Sequence, residues 1–207
     1  MNQVHANHKV GMTFARALRA ILRQDPDVIM VGEIRDSETA DIAVKSALTG
    51  HLVLSTVHAN DAPGTVTRLI DMGVPRYLVG SAVTLVMAQR LVRKVCERCK
   101  ETYIPSPETL AVMGEDAQTL QGRPLVRGRG CLACKNTGYH GRTAVFEVLE
   151  LTRPIRRMVL DGLNEDQIKQ KAMSEGLTTL RKHGIKKILE GTTTIEEVRA
   201  ATLADHL

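Results

Sequence analysis

The sequence predicts an α/β fold in which a parallel sheet is followed by a metal-binding segment and a helical tail. Two short apolar runs, residues 28–31 and 52–56, flank a stretch with helical periodicity. A strand, a helix and a second strand at this spacing form a βαβ unit, which requires a parallel sheet. Continuous apolar runs are typical of strands that are buried on both faces.

Helices on either side of these strands are predicted from their capping residues and stop signals. Residues 13–24 have apolar positions at helical spacing, and Thr13 can cap the first turn. Pro26 ends this helix, because the residue before a proline disfavours the α region. The helix between the strands is predicted to begin at Ser37 and to end at Gly50. The other helices predicted in this part of the chain cover residues 62–72 and 76–93.

The second half of the chain changes character twice. Residues 96–144 are rich in Gly, Pro and Cys and poor in periodicity, and residues 145–148 predict a short strand. A helical tail follows, in which two residue pairs have the spacing of a capping box: Asn164 with Gln167, and Thr194 with Glu197. The expected helix ends in the tail are Gly162, Gly176, Gly184 and Gly191. We therefore divide the chain into residues 1–93, 94–146 and 147–207.

Composition narrows the class of protein. Aromatic residues make up only 2% of the chain, which argues against a single-strand nucleic-acid surface, since such surfaces stack bases on aromatic rings. The net charge of +5 is spread along the chain and is expected to be a solvated surface. No apolar run reaches the length of about 18 residues that a membrane span needs. The polar start of the sequence does not resemble a signal peptide, so we expect a cytoplasmic protein with reduced thiols.

Polar residues follow both predicted strands. Gly32 and Glu33 come directly after the first strand, and His58 follows the second. Ligands of open parallel sheets bind at the carboxyl ends of the strands, where a carboxylate can hold Mg²⁺ or orient water and a histidine can donate to a phosphate oxygen. The alternatives are that Glu33 is an ordinary solvated carboxylate and that His58 is a structural histidine.

Four cysteines form two Cys-x-x-Cys pairs, Cys96 with Cys99 and Cys131 with Cys134. Basic residues flank both pairs and favour the thiolate form that binds metal. Four thiolates suit a closed, tetrahedral and structural Zn²⁺ site. The alternatives are a thioredoxin-like redox motif and four inert thiols.

Longer stretches resemble a known family. The segment TFARALRAILRQDPDVIMVGEIRDSETADIAVKSALTGHLVLSTVHANDA, with AQRLVRKVCERCK and CLACKNTGYHGRTAVFEVLEL, resembles the ATPases of bacterial type II secretion and type IV pilus assembly. The resemblance covers nearly the whole chain but only the C-terminal portion of a family member. It implies a partial RecA-like P-loop ATPase core, a zinc-binding tetracysteine segment and a helical subdomain.

The resemblance also implies roles for the residues singled out above. Glu33, after Gly32, takes the place of the Walker B acid, and His58 takes the place of the His-box residue that contacts the γ-phosphate. The implied cofactors are ATP, Mg²⁺ and a Zn²⁺ held by the cysteines, which are Cys96, Cys99, Cys131 and Cys134. The implied partners are further copies in a homo-hexamer and inner-membrane platform proteins, which bring the motor to the cytoplasmic face of the membrane. No nucleic acid is among them.

One departure from the family is evident. The chain contains no GxxxxGK[ST] phosphate-binding loop, so we expect it to hydrolyse ATP negligibly on its own. Three hypotheses remain open: part of a hexameric motor ATPase, a standalone zinc-bearing interaction module of the same machinery, and a basic nucleic-acid-binding zinc protein. The scarcity of aromatic residues argues against the third.

Overall fold

The computed structural model describes residues 2–202, which divide into two compact units. Unit 1 contains the residues up to Val86 together with Leu149–Glu175, and unit 2 contains Met87–Val148 and the residues from Gly176 onward. These ranges differ from the three segments expected from the sequence, and the three-domain division stays a prediction. No helix within residues 2–202 is long and apolar enough to cross a membrane.

The described residues form ten α-helices and six β-strands. The helices are α1 (Phe14–Ile21), α2 (Ser37–Leu48), α3 (Ala62–Asp71), α4 (Arg76–Ala82), α5 (Pro107–Ala111), α6 (Ala117–Leu120), α7 (Arg153–Asp161), α8 (Glu165–Ser174), α9 (Leu180–Leu189) and α10 (Ile195–Ala201). The strands are β1 (Val28–Val31), β2 (Leu52–Ser55), β3 (Leu85–Val95), β4 (Lys100–Tyr103), β5 (Leu125–Gly128) and β6 (Tyr139–Glu150).

The predicted βαβ unit is confirmed in unit 1. Strands β1 and β2 pair in parallel, with Val28 opposite Leu52 and Val31 opposite Ser55, and α2 connects them. The expected start of α2 at Ser37 is confirmed. Asp36 caps this helix by accepting a hydrogen bond from the Thr39 backbone N–H at 2.7 Å. The α/β fold class predicted from the sequence is therefore correct.

The prediction that these strands are buried on both faces is wrong. Ile29 and Val31 are buried, but Val28 and Met30 remain 57% and 74% exposed. Side chains alternate across a strand, so one face of β1 packs inward and the other faces solvent. The sequence shows no alternation of apolar and polar residues along β1, because its exposed face is apolar as well, and this is why burial on both faces was predicted.

The predicted helix over residues 76–93 is also wrong, because only its first part is helical. Helix α4 ends at Ala82, and the chain then forms the long strand β3, which pairs with β6. Along β3 the odd-numbered residues from Leu85 to Leu91 are exposed and the residues between them are partly or fully buried. This period of two belongs to a strand, and pairing with a distant strand stabilises it.

Unit 2 contains more regular structure than expected. Residues 96–144 were predicted to be irregular, yet they contain the antiparallel pair β4 and β5 and the short helices α5 and α6. The predicted strand 145–148 is the inner part of the longer β6. The elements α5, α6 and β5 pack with α9 and α10 around one apolar cluster, whose members are Leu110, Met113, Leu120, Leu125, Ile185, Ile188, Ile195 and Val198.

Local capping signals were partly correct. Thr13 caps α1, because its hydroxyl accepts from the Arg16 N–H at 3.2 Å. Asn164 and Gln167 form the predicted capping box at the start of α8. Thr194 makes no such side-chain bond at α10, where Glu197 instead binds the Arg93 guanidinium.

Gly184 does not end a helix, although a helix end was predicted there. It lies inside α9, where a Cβ would come 2.5 Å from Cγ1 of Val198 on α10. The glycine is therefore explained by close packing of two helices, which a local pattern cannot reveal.

Candidate functional site

The loops that leave β1 and β2 are joined to each other in unit 1. The Ile34 backbone N–H donates to the Thr56 carbonyl at 2.9 Å, and the Thr56 hydroxyl donates to the Gly32 carbonyl at 2.8 Å. These two bonds extend the parallel pairing beyond the last strand residues. The polar residues after each strand consequently lie side by side, as expected for the carboxyl edge of a parallel sheet.

Glu33 and His58 come together at this edge. The Nε2 atom of His58 lies 3.5 Å from Oε2 of Glu33, and the Nε atom of Arg35 lies 2.5 Å from the same oxygen. The Glu33 side chain is mostly sheltered, whereas the His58 side chain is 86% exposed. The carboxylate is thus positioned by the strand, and the imidazole approaches it from the solvent side.

Arg35 was not singled out from the sequence, although a signal for it existed. It follows Glu33 by two residues, and in an extended segment residues at this spacing point to the same side. The ion pair is exposed on its arginine side, so solvent screening makes it weak and exchangeable. The Glu33 oxygen can therefore exchange this cation for a metal ion or a water molecule.

Gly32 lies against the first helix. A Cβ at this position would be 3.6 Å from Cε1 of Phe14, which is an ordinary van der Waals contact. Within the described chain, nothing requires a glycine here for backbone conformation or for space. The space that a side chain would take at this position lies on the Phe14 side.

A pair of carboxyl groups, Asp61 and Glu165, was not predicted from the sequence. Asp61 follows His58 by three residues, and Glu165 lies on α8. Asp61 caps α3 through a 2.9 Å bond from the Gly64 N–H, and its Oδ2 lies 3.5 Å from Nζ of Lys169. Burial, and next the neighbouring Asp61 carboxylate, raise the pKa of Glu165 on α8. A Cβ on Gly64 would come within 3.2 Å of both Asp61 and Glu165, so this glycine admits the close carboxyl pair.

An open pocket of about 420 Å³ lies beside this carboxyl pair. Its lining is mostly polar and consists of His58, Ala59, Asn60, Gly64, Thr67, Arg68, Asp71 and Glu165. His58 therefore both contacts the Glu33 carboxylate and lines this open pocket. Nothing in the sequence pattern indicated that α3 and α8 would form its walls.

The four cysteines predicted to bind metal converge in unit 2. Their sulfur atoms all lie within 4.8 Å of one another. Individual separations are 3.9 Å for Cys96 to Cys131, 3.9 Å for Cys99 to Cys134 and 3.8 Å for Cys131 to Cys134. A tetrahedral zinc site with Zn–S bonds of about 2.3 Å places sulfurs about 3.8 Å apart, so the donor set fits that ion.

Backbone donors surround one of these sulfurs. The N–H groups of Cys131 and Gly138 donate to the Cys134 sulfur at 3.2 and 3.3 Å. Burial opposes ionisation of this thiol, but these bonds outweigh burial and lower the pKa of Cys134 to about 6. Burial raises the pKa of Cys99 to about 12. N–H donors at a ligating sulfur favour the thiolate that a metal requires.

Two glycines bring the strands together at the cluster. A Cβ on Gly128 would lie 2.1 Å from the Gly138 carbonyl oxygen, and Gly138 itself has a positive φ of 77°. The end of β5 thus touches the backbone that leads into β6. Because Gly138 also donates to Cys134, this close approach positions a sulfur as well as a strand.

These features define an α/β protein with polar groups at the carboxyl ends of parallel strands and a separate four-cysteine cluster. A family model described as "Type II/IV secretion system protein" matches residues 1–200, and the chain belongs to this family. The resemblance stated from the sequence is therefore confirmed.

Curated relatives carry two kinds of names. The chain is 51% identical over 203 residues to the type IV pilus assembly ATPase PilB of Thermus thermophilus, covering 98% of this chain and 23% of that protein. It is 48% identical over 202 residues to the type II secretion system protein E of Pseudomonas aeruginosa, covering 98% and 40%. The chain thus spans well under half of the length of these relatives.

Solved structures support the fold. The pilus retraction motor PilT with bound ADP superposes with a TM-score of 0.64 and 27% identity, over 94% of this chain and 46% of that chain. The Legionella pneumophila ATPase DotB gives a TM-score of 0.62 and 21% identity, over 92% of this chain and 43% of that chain. The second likeness concerns the fold alone.

Proposed function

We propose that this chain is the C-terminal part of a motor ATPase that drives type II secretion or type IV pilus assembly. The observation that carries the proposal is the approach of His58 to Glu33, 3.5 Å apart at the carboxyl edge of a parallel sheet. The names of the relatives and the likeness to an ADP-bound motor support it. In this proposal, unit 1 contains part of a RecA-like core.

Each strand-end residue has a defined part in the proposed chemistry. Glu33, as the Walker B acid, would hold Mg²⁺ directly or through water or would orient the attacking water, and His58 would donate to the γ-phosphate of ATP. Gly32 leaves the backbone accessible. Phosphoryl transfer depends on positioning and electrostatic stabilisation, which a fixed carboxylate and an adjacent donor supply. Arg35, which contacts the Glu33 oxygen, would have to move away for a metal ion or a water molecule to bind there.

The chain by itself is proposed to be inactive. Its 207 residues contain no GxxxxGK[ST] loop, whose backbone amides and lysine would cradle the phosphates. Turnover therefore requires a phosphate-binding loop from elsewhere. In this proposal the chain supplies Glu33 and His58 to the site, and the phosphate-binding loop comes from outside the 207 residues.

The four cysteines are proposed to hold a structural Zn²⁺. All four positions of a tetrahedral site are then filled by thiolates, which leaves no open position for substrate. Chemically, such an ion supplies a fixed cross-link between the two turns. It adds no step to ATP hydrolysis.

The proposed assembly is a homo-hexamer on the cytoplasmic side of the bacterial inner membrane. Its partners are the platform proteins of the secretion or pilus machinery, to which nucleotide-driven motion is passed, and no nucleic acid is involved. Membrane association occurs through those partners.

An interaction module without ATPase activity is the second candidate. It is favoured by the cysteine cluster, because all four ligands lie within unit 2 and need no nucleotide. The two candidates differ in whether Glu33 matters for function.

A chimera tests the motor proposal. The 207 residues would replace the matching C-terminal region of the Thermus thermophilus PilB, to which they are 51% identical. We expect ATP hydrolysis by the chimera, none by the 207 residues alone, and a loss of about 100-fold or more in kcat for Glu33→Gln. The matched control is Glu38→Gln, which removes an exposed carboxylate from α2. Equal turnover of the Glu33 and Glu38 variants would refute the assignment, and an inactive but folded and hexameric chimera would favour the interaction module.

A further inference from the structure

The loop that bears His58 is held at both of its ends. At its start, Thr56 is bonded to the backbone of the loop after β1. At its end, Asp61 caps α3 by accepting a hydrogen bond from the Gly64 N–H at 2.9 Å. The His58 side chain is 86% exposed, so little else packs against it. Its place at the strand-end site therefore depends on how the two ends of the loop are fixed.

Helix α8, from a distant part of the chain, contacts the second end of this loop. Lys169 Nζ lies 3.5 Å from Oδ2 of Asp61, and the two side chains are only 21% and 16% exposed. Salt and solvent screen an ion pair this sheltered much less than a pair on the surface. Helix α8 and the start of α3 belong to the same compact unit. The ion pair thus ties the end of the His58 loop to α8.

The same helix brings a second carboxyl group to this place. A Cβ on Gly64 would lie 3.0 Å from Oδ1 of Asp61 and 3.2 Å from Oε1 of Glu165, so both carboxyl groups lie against this glycine. Burial, and next the Asp61 carboxylate, raise the pKa of Glu165, whereas the Lys169 cation lowers it. Two carboxylates this close repel each other unless a cation offsets their charges. Lys169, which contacts Asp61 directly, is the residue placed to do so.

We propose that Lys169 is a positioning residue, which holds His58 at the strand-end site by fixing Asp61 beside Glu165. The proposal rests on the motor function proposed above, because only in that function does the place of His58 decide a rate. Lys169 touches neither nucleotide nor water in the reaction and takes part in no chemical step. Its effect is on geometry, since a displacement of about 1 Å at a catalytic group can cost about 100-fold in rate.

Apolar packing anchors helix α3 independently of this contact. Ala62 and Val66 are both 0% exposed, so the helix should stay in place when a polar contact at its start is lost. The part that should change is the first turn of α3 and the loop before it, where Asp61 lies. We therefore expect variants of Lys169 to fold normally and to misplace His58.

A mutant cycle separates positioning from simple packing. Lys169→Gln removes the cation and leaves two carboxylates that repel each other, so Asp61 should move. Glu165→Gln keeps the shape of the side chain and removes the repulsion, so it should be close to wild type. The double variant should also be close to wild type, because Asp61 then has no second carboxylate beside it. A role of Lys169 in packing alone would leave the double variant as impaired as Lys169→Gln.

Hydrogen exchange of the purified 207-residue chain, followed by NMR, measures the contact itself. We expect the Gly64 amide, which is bonded to Asp61, to exchange about tenfold faster in Lys169→Gln and at the wild-type rate in the double variant. The matched control is Lys171→Gln, which removes another cation of α8, one that pairs with Glu175. Unchanged exchange in Lys169→Gln, or an equal increase in the control, would overturn the proposal.

Turnover of the chimera described above measures the consequence for the site. Lys169→Gln should lower kcat about tenfold and leave KM for ATP unchanged, whereas the double variant and Lys171→Gln should keep full turnover. Faster exchange without loss of turnover, in a chimera that Glu33→Gln inactivates, would refute the positioning role alone. Full turnover of Glu33→Gln would instead refute the motor function, and the positioning role with it.

Discussion

His58 Nε2 lies 3.5 Å from Glu33 Oε2, although the whole of α2 and β2 separates the two residues in the chain. Two hydrogen bonds join the loops that contain these residues: the Ile34 backbone N–H donates to the Thr56 carbonyl, and the Thr56 hydroxyl donates to the Gly32 carbonyl. Because the two side chains meet at one site, replacing either of them should affect the same activity.

Replacing His58 by alanine should affect turnover without affecting stability. In the chimera described above, we expect kcat to fall by about 100-fold or more, as for loss of a positioned donor. The melting temperature should stay unchanged, because the side chain is 86% exposed. His140→Ala, at an exposed position in unit 2, is the control and should retain full turnover. A melting temperature that falls together with activity would point to a structural role instead.

Metal removal should destabilise unit 2. We expect one zinc per chain by mass spectrometry, lost on Cys134→Ser, because that sulfur is the one bonded by the Cys131 and Gly138 N–H groups. Structural zinc contributes about 10–16 kcal/mol of binding free energy at neutral pH, so a chelator should unfold the unit or lower its melting temperature strongly. Leu132→Ser changes the same turn without removing a ligand and should keep its zinc. Full thermal stability after complete zinc removal would contradict a structural metal.

Gly184→Ala should destabilise the protein, contrary to the usual effect of alanine in a helix. The new Cβ would meet Val198 Cγ1 at 2.5 Å, and overpacking of this kind costs about 1–3 kcal/mol. The control is Gly80→Ala in α4, where the nearest atom is 3.5 Å away and alanine should stabilise by up to about 1 kcal/mol. Urea unfolding measures both. Rescue of Gly184→Ala by Val198→Ala would show that the contact is the cause.

The bond between Glu197 and Arg93 should make stability depend on pH. Burial opposes ionisation of Glu197, but hydrogen bonds from the Arg93 guanidinium and N–H outweigh it and lower the pKa of this carboxyl. An acid with a lowered folded-state pKa stabilises the fold above its unfolded pKa of about 4.3, and this contribution is lost as the pH falls.

Glu197→Gln should therefore cost about 1 kcal/mol at neutral pH, a modest value because the arginine is half exposed. The cost should shrink as the pH falls from about 5 to 3. Glu115→Gln, an exposed carboxylate of the same unit, serves as the control. Urea unfolding across this pH range would contradict the assignment if the difference between wild type and Glu197→Gln stayed constant.

Local signals predicted much of the fold correctly. Thr13 and the pair Asn164 with Gln167 mark helix starts through bonds within three residues of the chain, so the sequence contains these signals directly. Helix α2 begins at Ser37 as predicted, although the residue that caps it is Asp36. The two apolar runs identified β1 and β2. Their strand-end residues were expected to meet because parallel strands share one carboxyl edge.

Long-range contacts decided the rest. Residues 85–95 have enough apolar positions for a helix, but pairing with β6 makes them a strand. Glu197 has the spacing of a capping residue, yet Arg93 from a distant strand binds it.

What the sequence determined by itself was the βαβ unit, the two cysteine turns and the acid and histidine that follow the strands. These depend on periodicity, spacing and short-range bonds. Only the tertiary structure showed the ion pair of Arg35 with Glu33 and the closeness of the Glu165 and Asp61 carboxyl groups. It also showed the close packing of Gly184 against Val198. Such contacts depend on which distant surfaces meet, and that is set by burial and pairing of whole elements rather than by any local pattern.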